Sequence, residues 1–435
     1  MDEDNQKTID AKDDKQKYKD LENSMIDSFF SNNFADSLAK SIELLKSDDK
    51  DVSTNALRYY SMSLYNVFSL DNIINNLTYV VNNSMPNYKD YYYLGLCYFD
   101  KGNYANAIEN FLKGLEINEK DYNLNYNLAL SYYYNSEFDK AEEYSHKAIF
   151  IDGGILNSYQ LLYYMYNNNF TEHERNLKIE QLLNTIDENI NRTGDKNLLL
   201  LASNYNFETG NFSKALEYLN RLIVLDNTNI DYFLLRTKTH FQLQNYASSQ
   251  QDIDFVLDKD INNLDAHCLN VRIAYTTSNI TEQTLKSVDV IIENSEKISD
   301  DCNFLVFKIK ANNLADNNEI QESIDYYTKA LLFAEEQNDI IELYSNRADA
   351  YLKLDDLDLA ELDINRILIL KEENGQNLDK NNIDLLQKLL VIYAKQNRVD
   401  DISQTAEKIK EIKEKESSVK ATINSSGKGH LNSPP

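Results

Sequence analysis

Residues 91–111 read YYYLGLCYFDKGNYANAIENF, and five of the nine residues before Asp100 are aromatic. The apolar and small positions Tyr91, Leu94, Gly95 and Tyr98 recur at the three- and four-residue spacing of one helical stripe. An Asp-Lys-Gly-Asn break follows, and then a second stripe, Tyr104, Ala107 and Phe111. The stretch predicts two short helices joined by a tight turn, with more rings than one buried face can hold.

Shifting the chain by 34 residues brings Ala107 onto Ala141 and Ala215 onto Ser249, and a similar match at 37 residues joins two later segments. One helix pair cannot bury its own stripe, so neighbouring pairs must stack. Repeat starts fall near Tyr18, Thr54, Tyr88, Tyr122, Leu156, Lys196, Ile230, Leu264, Phe304, Ile341 and Ile383. The excess over 34 residues falls in polar segments such as EENGQNLDKNN (372–382), read as longer loops or extended helix ends.

Composition agrees. The 435 residues include only 10 Gly and 3 Pro, against averages of about 7% and about 5%, which leaves little for hairpin turns or Gly-rich nucleotide loops. A formal charge of -27 disfavours nucleic acid and anionic membranes as partners. No segment is apolar enough for membrane insertion, and the charged first residues do not resemble a secretory signal, so a cytoplasmic setting is expected, with the nucleus left open. Cys97, Cys268 and Cys302 are widely spaced and read as buried reduced thiols. The five histidines show no metal-ligand spacing and no nucleotide motif occurs. No enzyme, cofactor or metal is therefore expected.

The repeat resembles the tetratricopeptide family, whose unit is a 34-residue helix pair. The segment from Tyr88 carries the pattern at Tyr91, Leu94, Gly95, Tyr98, Tyr104, Ala107 and Phe111. It departs at Gly114, where Ala is usual, and near Glu119, where Pro is usual. The resemblance implies an all-α, right-handed superhelical solenoid of about eleven antiparallel helix pairs with a concave partner-binding face. Residues 18–195 would form Tyr-rich N-terminal repeats, 196–303 the middle and 304–416 the C-terminal repeats. Residues 1–17 and 417–435 read as disordered tails.

Two candidate sites follow. With the stripe of the first helix turned inward, Tyr92, Tyr93 and Phe99 face the groove or its edge, joined by Tyr126 and Tyr133 in the next repeat and Tyr59 in the preceding one. They either pave a partner surface or fold against the next helix as core. Some relatives hold a partner's terminal carboxylate, such as the Glu-Glu-Val-Asp end of heat-shock chaperones, in a clamp of Lys and Asn. At the matching places stand Lys308, Asn312, Asn346 and Lys388, with Asp384 where a second basic residue is expected. The resemblance implies a non-catalytic adaptor of co-chaperone type; a scaffold subunit of a large assembly is the alternative. Self-association through the Tyr-rich face also stays open.

Overall fold

The computed structural model describes residues 2–65, 67, 69–373 and 382–426, with side chains from 16 to 414 apart from residues 66, 68 and 373–381. The described residues form helices, with no strand among them, in two compact units divided between Leu225 and Asp226.

In the first unit the helices are α1 (Asp2–Phe30), α2 (Phe34–Leu44), α3 (Lys50–Ser63), α4 (Leu70–Asn83), α5 (Tyr88–Asp100) and α6 (Tyr104–Ile117). Next come α7 (Tyr122–Tyr134), α8 (Phe138–Ile151), α9 (Asn157–Asn169), α10 (Glu172–Thr193), α11 (Lys196–Glu208) and α12 (Phe212–Leu225). The second unit opens with α13 (Ile230–Gln242), α14 (Tyr246–Lys259), α15 (Leu264–Thr276), α16 (Glu282–Glu293) and α17 (Asp300–Asp316). It continues with α18 (Ile320–Leu331), α19 (Gln337–Lys353), α20 (Leu357–Glu373), α21 (Ile383–Lys395) and α22 (Val399–Ser426). Taken in order, these described helices make eleven pairs, and within each unit neighbours in sequence pack on one another.

Two expectations are corrected. The first residues are not a disordered tail, because α1 runs from Asp2. At the other end α22 extends through Ser426, and of the expected 417–435 tail, residues 427–435 lie outside the described residues. The segment 372–382 falls mostly outside them too. Elsewhere the extra residues lengthen helices: α10 has 22 residues, and α17, α19 and α20 have 17 each.

Asn and Asp cap many helix starts. Asn33, Asp49, Asn87, Asn103, Asp121, Asp195, Asn229 and Asn263 each accept a backbone N–H of the first turn, satisfying donors that have no partner inside the helix. Between the two helices of a pair one turn recurs. A residue with positive φ (Asn32, Gly102, Ser136, Gly210, Gln244, Ser278, Asn318, Asp355 or Asn397) follows the first helix. The next N–H then reaches the carbonyl five residues back, as from Asn103 to Tyr98 at 2.9 Å and from Asn245 to His240 at 2.8 Å, the bond that closes a Schellman turn. Seven of these nine positions are not glycine, which is how a glycine-poor chain still turns.

An L-residue in the left-handed region costs roughly 1–2 kcal/mol, part of which glycine returns as entropy in the unfolded chain. Gln244 is exposed with φ 59°, so Gln244→Gly is expected to stabilise the second unit by about 0.5–1 kcal/mol. Chemical denaturation followed by circular dichroism checks it.

Close helix approach explains both special glycines. A Cβ on Gly95 would collide with the Phe111 ring, and one on Gly114 would lie 2.8 Å from the Leu124 side chain. Even Ala is therefore too large at Gly114, where the next repeat's buried Leu124 fills the space.

His240, at the end of α13, has a buried Nδ1 without a hydrogen-bond partner among the described residues. Burial depresses its pKa below the ordinary 6.5, with Asp252 opposing and Arg236 adding to the effect. Since the unfolded chain takes up this proton first, stability is present above 6.5 and is lost as pH falls through the lower folded value. Unfolding midpoints should therefore drop from about pH 7 to about pH 5, and His240→Gln should flatten that part of the slope.

Candidate functional site

The pattern that turns Leu94 and Gly95 into the repeat interface leaves rings at the ends of α5, α7 and α9. Phe99 on α5 meets Tyr134 of α7 edge-on, with centroids 5.6 Å apart, and Tyr104 stacks on the same ring at 5.3 Å. Tyr134 touches Tyr133 at 5.3 Å, and Tyr133 touches Tyr164 of α9 at 6.0 Å. The row Phe99, Tyr134, Tyr133, Tyr164 thus crosses the first helices of three consecutive pairs. Tyr134 and Tyr164 are 52% and 57% exposed, while Phe99 and Tyr133 are half-buried beneath them. Beside the row, Tyr163 stacks flat on Tyr205 of α11 at 3.7 Å and donates its hydroxyl to Glu208 at 2.6 Å. Such rings offer large apolar contact at low rotamer cost, with hydroxyls that can stay wet.

The six expected groove rings divide. Tyr59 is corrected: it is 7% exposed, in the core cluster with Met25, Phe29 and Met62, and lies 5.2 Å from the Phe29 ring. Tyr93 is half-buried and wedged between Tyr65 at 5.6 Å and Phe29 at 6.2 Å. Tyr92 contacts Tyr93 and Phe111, and burial pushes its phenol up to about 12, with smaller contributions from Tyr93 and Asp121. Tyr126 stacks on Tyr122 at 6.0 Å. Phe99 and Tyr133 join the exposed row. Tyr134 and Tyr164, its most exposed members, were not singled out from sequence, although the YYY and YY runs at 132–134 and 163–164 carry the signal.

The Lys and Asn quartet lies in the second unit with its own counter-charges. Lys308 is not a free groove cation: its side chain is only 2% exposed. Its ammonium donates to Tyr275 Oη at 2.8 Å, Asp339 at 3.0 Å and Glu342 at 2.9 Å. Burial works against this charge, but the contacts outweigh it and hold the pKa above the ordinary lysine value. Asn312 and Asn346 do meet, at 3.4 Å, and Asn312 Oδ1 also accepts from Tyr327 Oη at 2.8 Å. Lys388 pairs with Asp349 at 2.7 Å and lies 3.6 Å from Asp384.

Cys268 and Cys302 are joined as a disulfide between α15 and α17, with Cα atoms 6.0 Å apart. This corrects the expectation of three reduced thiols. Only Cys97 is a free cysteine, and it is buried. Two bidentate pairs also escaped the sequence reading: Arg236 to Asp252, and Arg347 to Asp363, each from the first helix of a pair to the second.

Among the described residues no group of three or more His, Cys, Asp or Glu side chains is placed to hold a metal ion. No described helix is long and apolar enough to cross a membrane.

The tetratricopeptide repeat model matches residues 88–121, the α5–α6 pair with the turn that follows it. The chain is a many-repeat array of tetratricopeptide-type helix pairs. A rice (Oryza sativa subsp. japonica) protein described as DnaJ protein P58IPK homolog B is 37% identical over 70 residues, 16% of this chain. The chain spans about 15% of the length of that curated relative. Among solved structures, MamA is 21% identical, covering 38% of this chain and 95% of its own, with a TM-score of 0.33. A tetratricopeptide repeat protein from Parabacteroides merdae is 17% identical over 61% of this chain and 98% of its own, with a TM-score of 0.35. Tetratricopeptide arrays of this kind are in general interaction scaffolds without catalytic machinery.

Proposed function

We propose that this tetratricopeptide array is a non-catalytic adaptor that binds partner proteins through the aromatic row of α5, α7 and α9. The observation that carries the reading is the continuous contact from Phe99 through Tyr134 and Tyr133 to Tyr164, with Tyr134 and Tyr164 more than half exposed. The occupant it suits is an extended or unfolded apolar segment. Similarity over 70 residues to a rice protein described as a DnaJ protein supports a chaperone-linked setting.

Binding of a permanently unfolded, fluorescently labelled model protein, read by anisotropy, tests this. Truncating a well-packed interface aromatic costs about 2 kcal/mol or more. Tyr134→Ser with Tyr164→Ser is therefore expected to weaken binding at least about thirtyfold, with the helical circular dichroism signal retained. Unchanged affinity would refute the aromatic-row reading and favour a scaffold held in fixed stoichiometry.

A second reading, capture of a chaperone's terminal carboxylate, is favoured by the approach of Asn312 to Asn346. It requires Lys308 to exchange Asp339 and Glu342 for the incoming anion. Calorimetric titration with a peptide ending in Glu-Glu-Val-Asp, beside the same peptide amidated, separates the two readings. Binding of the free acid alone, lost in Asn346→Ala, would establish capture; equal heats would dismiss it.

A further inference from the structure

We infer that Cys268 and Cys302 are an exchangeable crosslink between adjacent repeats, with Cys268 the sulfur at which a small thiol such as glutathione enters. The two residues are 34 positions apart, on the first helices of consecutive pairs, so the repeat itself brings them face to face. Their surroundings differ. Both pack on one core cluster, but Cys268 at its edge on α15 is only half-buried, whereas Cys302 is 2% exposed within it beside Val306, Ile291 and Val288. Exchange depends on access to the sulfur that is attacked, so the less buried Cys268 is the expected point of entry.

The reaction balances without any further oxidant. A glutathione thiolate attacks Cys268 Sγ, the bond to Cys302 breaks, and its electron pair leaves on Cys302 Sγ, which takes a proton from solvent. A second glutathione thiolate then attacks the glutathione sulfur of the mixed disulfide. This releases the Cys268 thiolate, which is protonated in turn, and glutathione disulfide. The net change is one protein disulfide and two glutathiones to two protein thiols and one glutathione disulfide.

The crosslink bears on the polar cluster because three ties join α15 to α17. Besides the disulfide these are the Arg272–Asp301 ion pair and the bond from Lys308 to Tyr275. The first of these ions is substantially exposed, with Arg272 at 39% and Asp301 at 62%, so it is a weak tie. Lys308 in turn holds Asp339 and Glu342 of α19. Opening the disulfide removes the covalent tie and leaves α17 seated by packing and Lys308, so amide exchange should rise from α15 through the start of α19.

The full-length chain, purified without reductant, is treated under native conditions with reduced glutathione, then alkylated and mapped by mass spectrometry. The expected product is a glutathione adduct on Cys268, with Cys302 alkylated only after denaturation. Cys97 is an internal control: buried, with burial and then Asp100 pushing its thiol up to about 12, it should remain unmodified until the chain unfolds. Hydrogen exchange on the reduced protein should quicken about tenfold or more in α15 and α17, with α5 to α8 unchanged. Three free thiols in the denatured, never-reduced chain would overturn the crosslink, and a glutathione adduct on Cys302 would overturn the assigned point of entry. A disulfide that resists glutathione until the protein unfolds would show that it is not exchangeable. The wild-type chain suffices for every one of these outcomes. Glutathione disulfide added to the Cys302→Ser variant supplies an independent check, with the adduct expected on Cys268.

Discussion

Replacing Arg347 with Ala is expected to destabilise the second unit by about 3–5 kcal/mol. Asp363 is 2% exposed, and Arg347 grips both of its oxygens, Nε to Oδ2 at 2.8 Å and Nη2 to Oδ1 at 2.7 Å. The same guanidinium donates through Nη1 to Thr328 Oγ1 at 2.8 Å, tying the α19–α20 pair back to α18. Removing it strands a carboxylate in a site with little water, and that desolvation outweighs the lost attraction. The control is a double change, Arg347→Met with Asp363→Leu, which removes both charges and keeps apolar volume. It should lie close to wild type, because a buried ion pair is expensive to break and cheap to replace. Urea unfolding followed by circular dichroism measures both, the chain having no tryptophan. A loss below about 1 kcal/mol for Arg347→Ala would mean that the site admits water and that the pair is a surface contact. Arg236 and Asp252 stand at the same two places in an earlier repeat, with Asp252 4% exposed and bonds of 2.8 and 2.6 Å.

Breaking the Cys268–Cys302 crosslink should have a comparable effect. The bond closes a loop with a sequence separation of 34, and chain-entropy arithmetic for such a loop gives about 4 kcal/mol. In a repeat array that loss is felt by the repeats bearing the bond and their neighbours, not evenly along the chain. Denaturation with and without reductant should therefore lower the transition of the second unit and leave that of the first in place. The Cys268→Ser and Cys302→Ser double variant should reproduce the reduced protein and be insensitive to reductant. Equal midpoints in all three states would show that the bond adds nothing to stability.

The fold was legible because a 34-residue repeat is a statement about packing that every copy restates. Leu94 and Ala107, Leu128 and Ala141, and Ala202 and Ala215 all lie on buried stripes; of the four least regular repeats, those from Leu156, Leu264 and Ile383 fall at the starts of α9, α15 and α21, whereas Tyr18 lies inside α1. Local chemistry supplied the boundaries, with Asn or Asp capping many helix starts. The turn residues were less visible, since Gln244 and Ser278 in a left-handed conformation look like any polar residue in a loop.

The site was legible only in part. Helical periodicity placed Tyr59 and Phe99 on the same flank of their helices, but not how deeply the neighbouring element covers each. Phe29 of α1 closes over Tyr59, whereas Tyr134 extends the Phe99 contact outward. Lys308 shows the same limit. Asp339 lies on the added turn of α19, whose first residue, Gln337, stands four residues before the expected repeat start at Ile341, and it is this turn that helps enclose the lysine.

By itself, then, the sequence determined what each repeat must bury and about how many helix pairs follow one another, since those follow from spacing along one chain. Tertiary structure alone decided which tyrosines stay exposed, which cation finds internal anions and which cysteines meet. Those outcomes depend on distances between residues about one repeat apart, where a single added turn changes the neighbour a side chain finds.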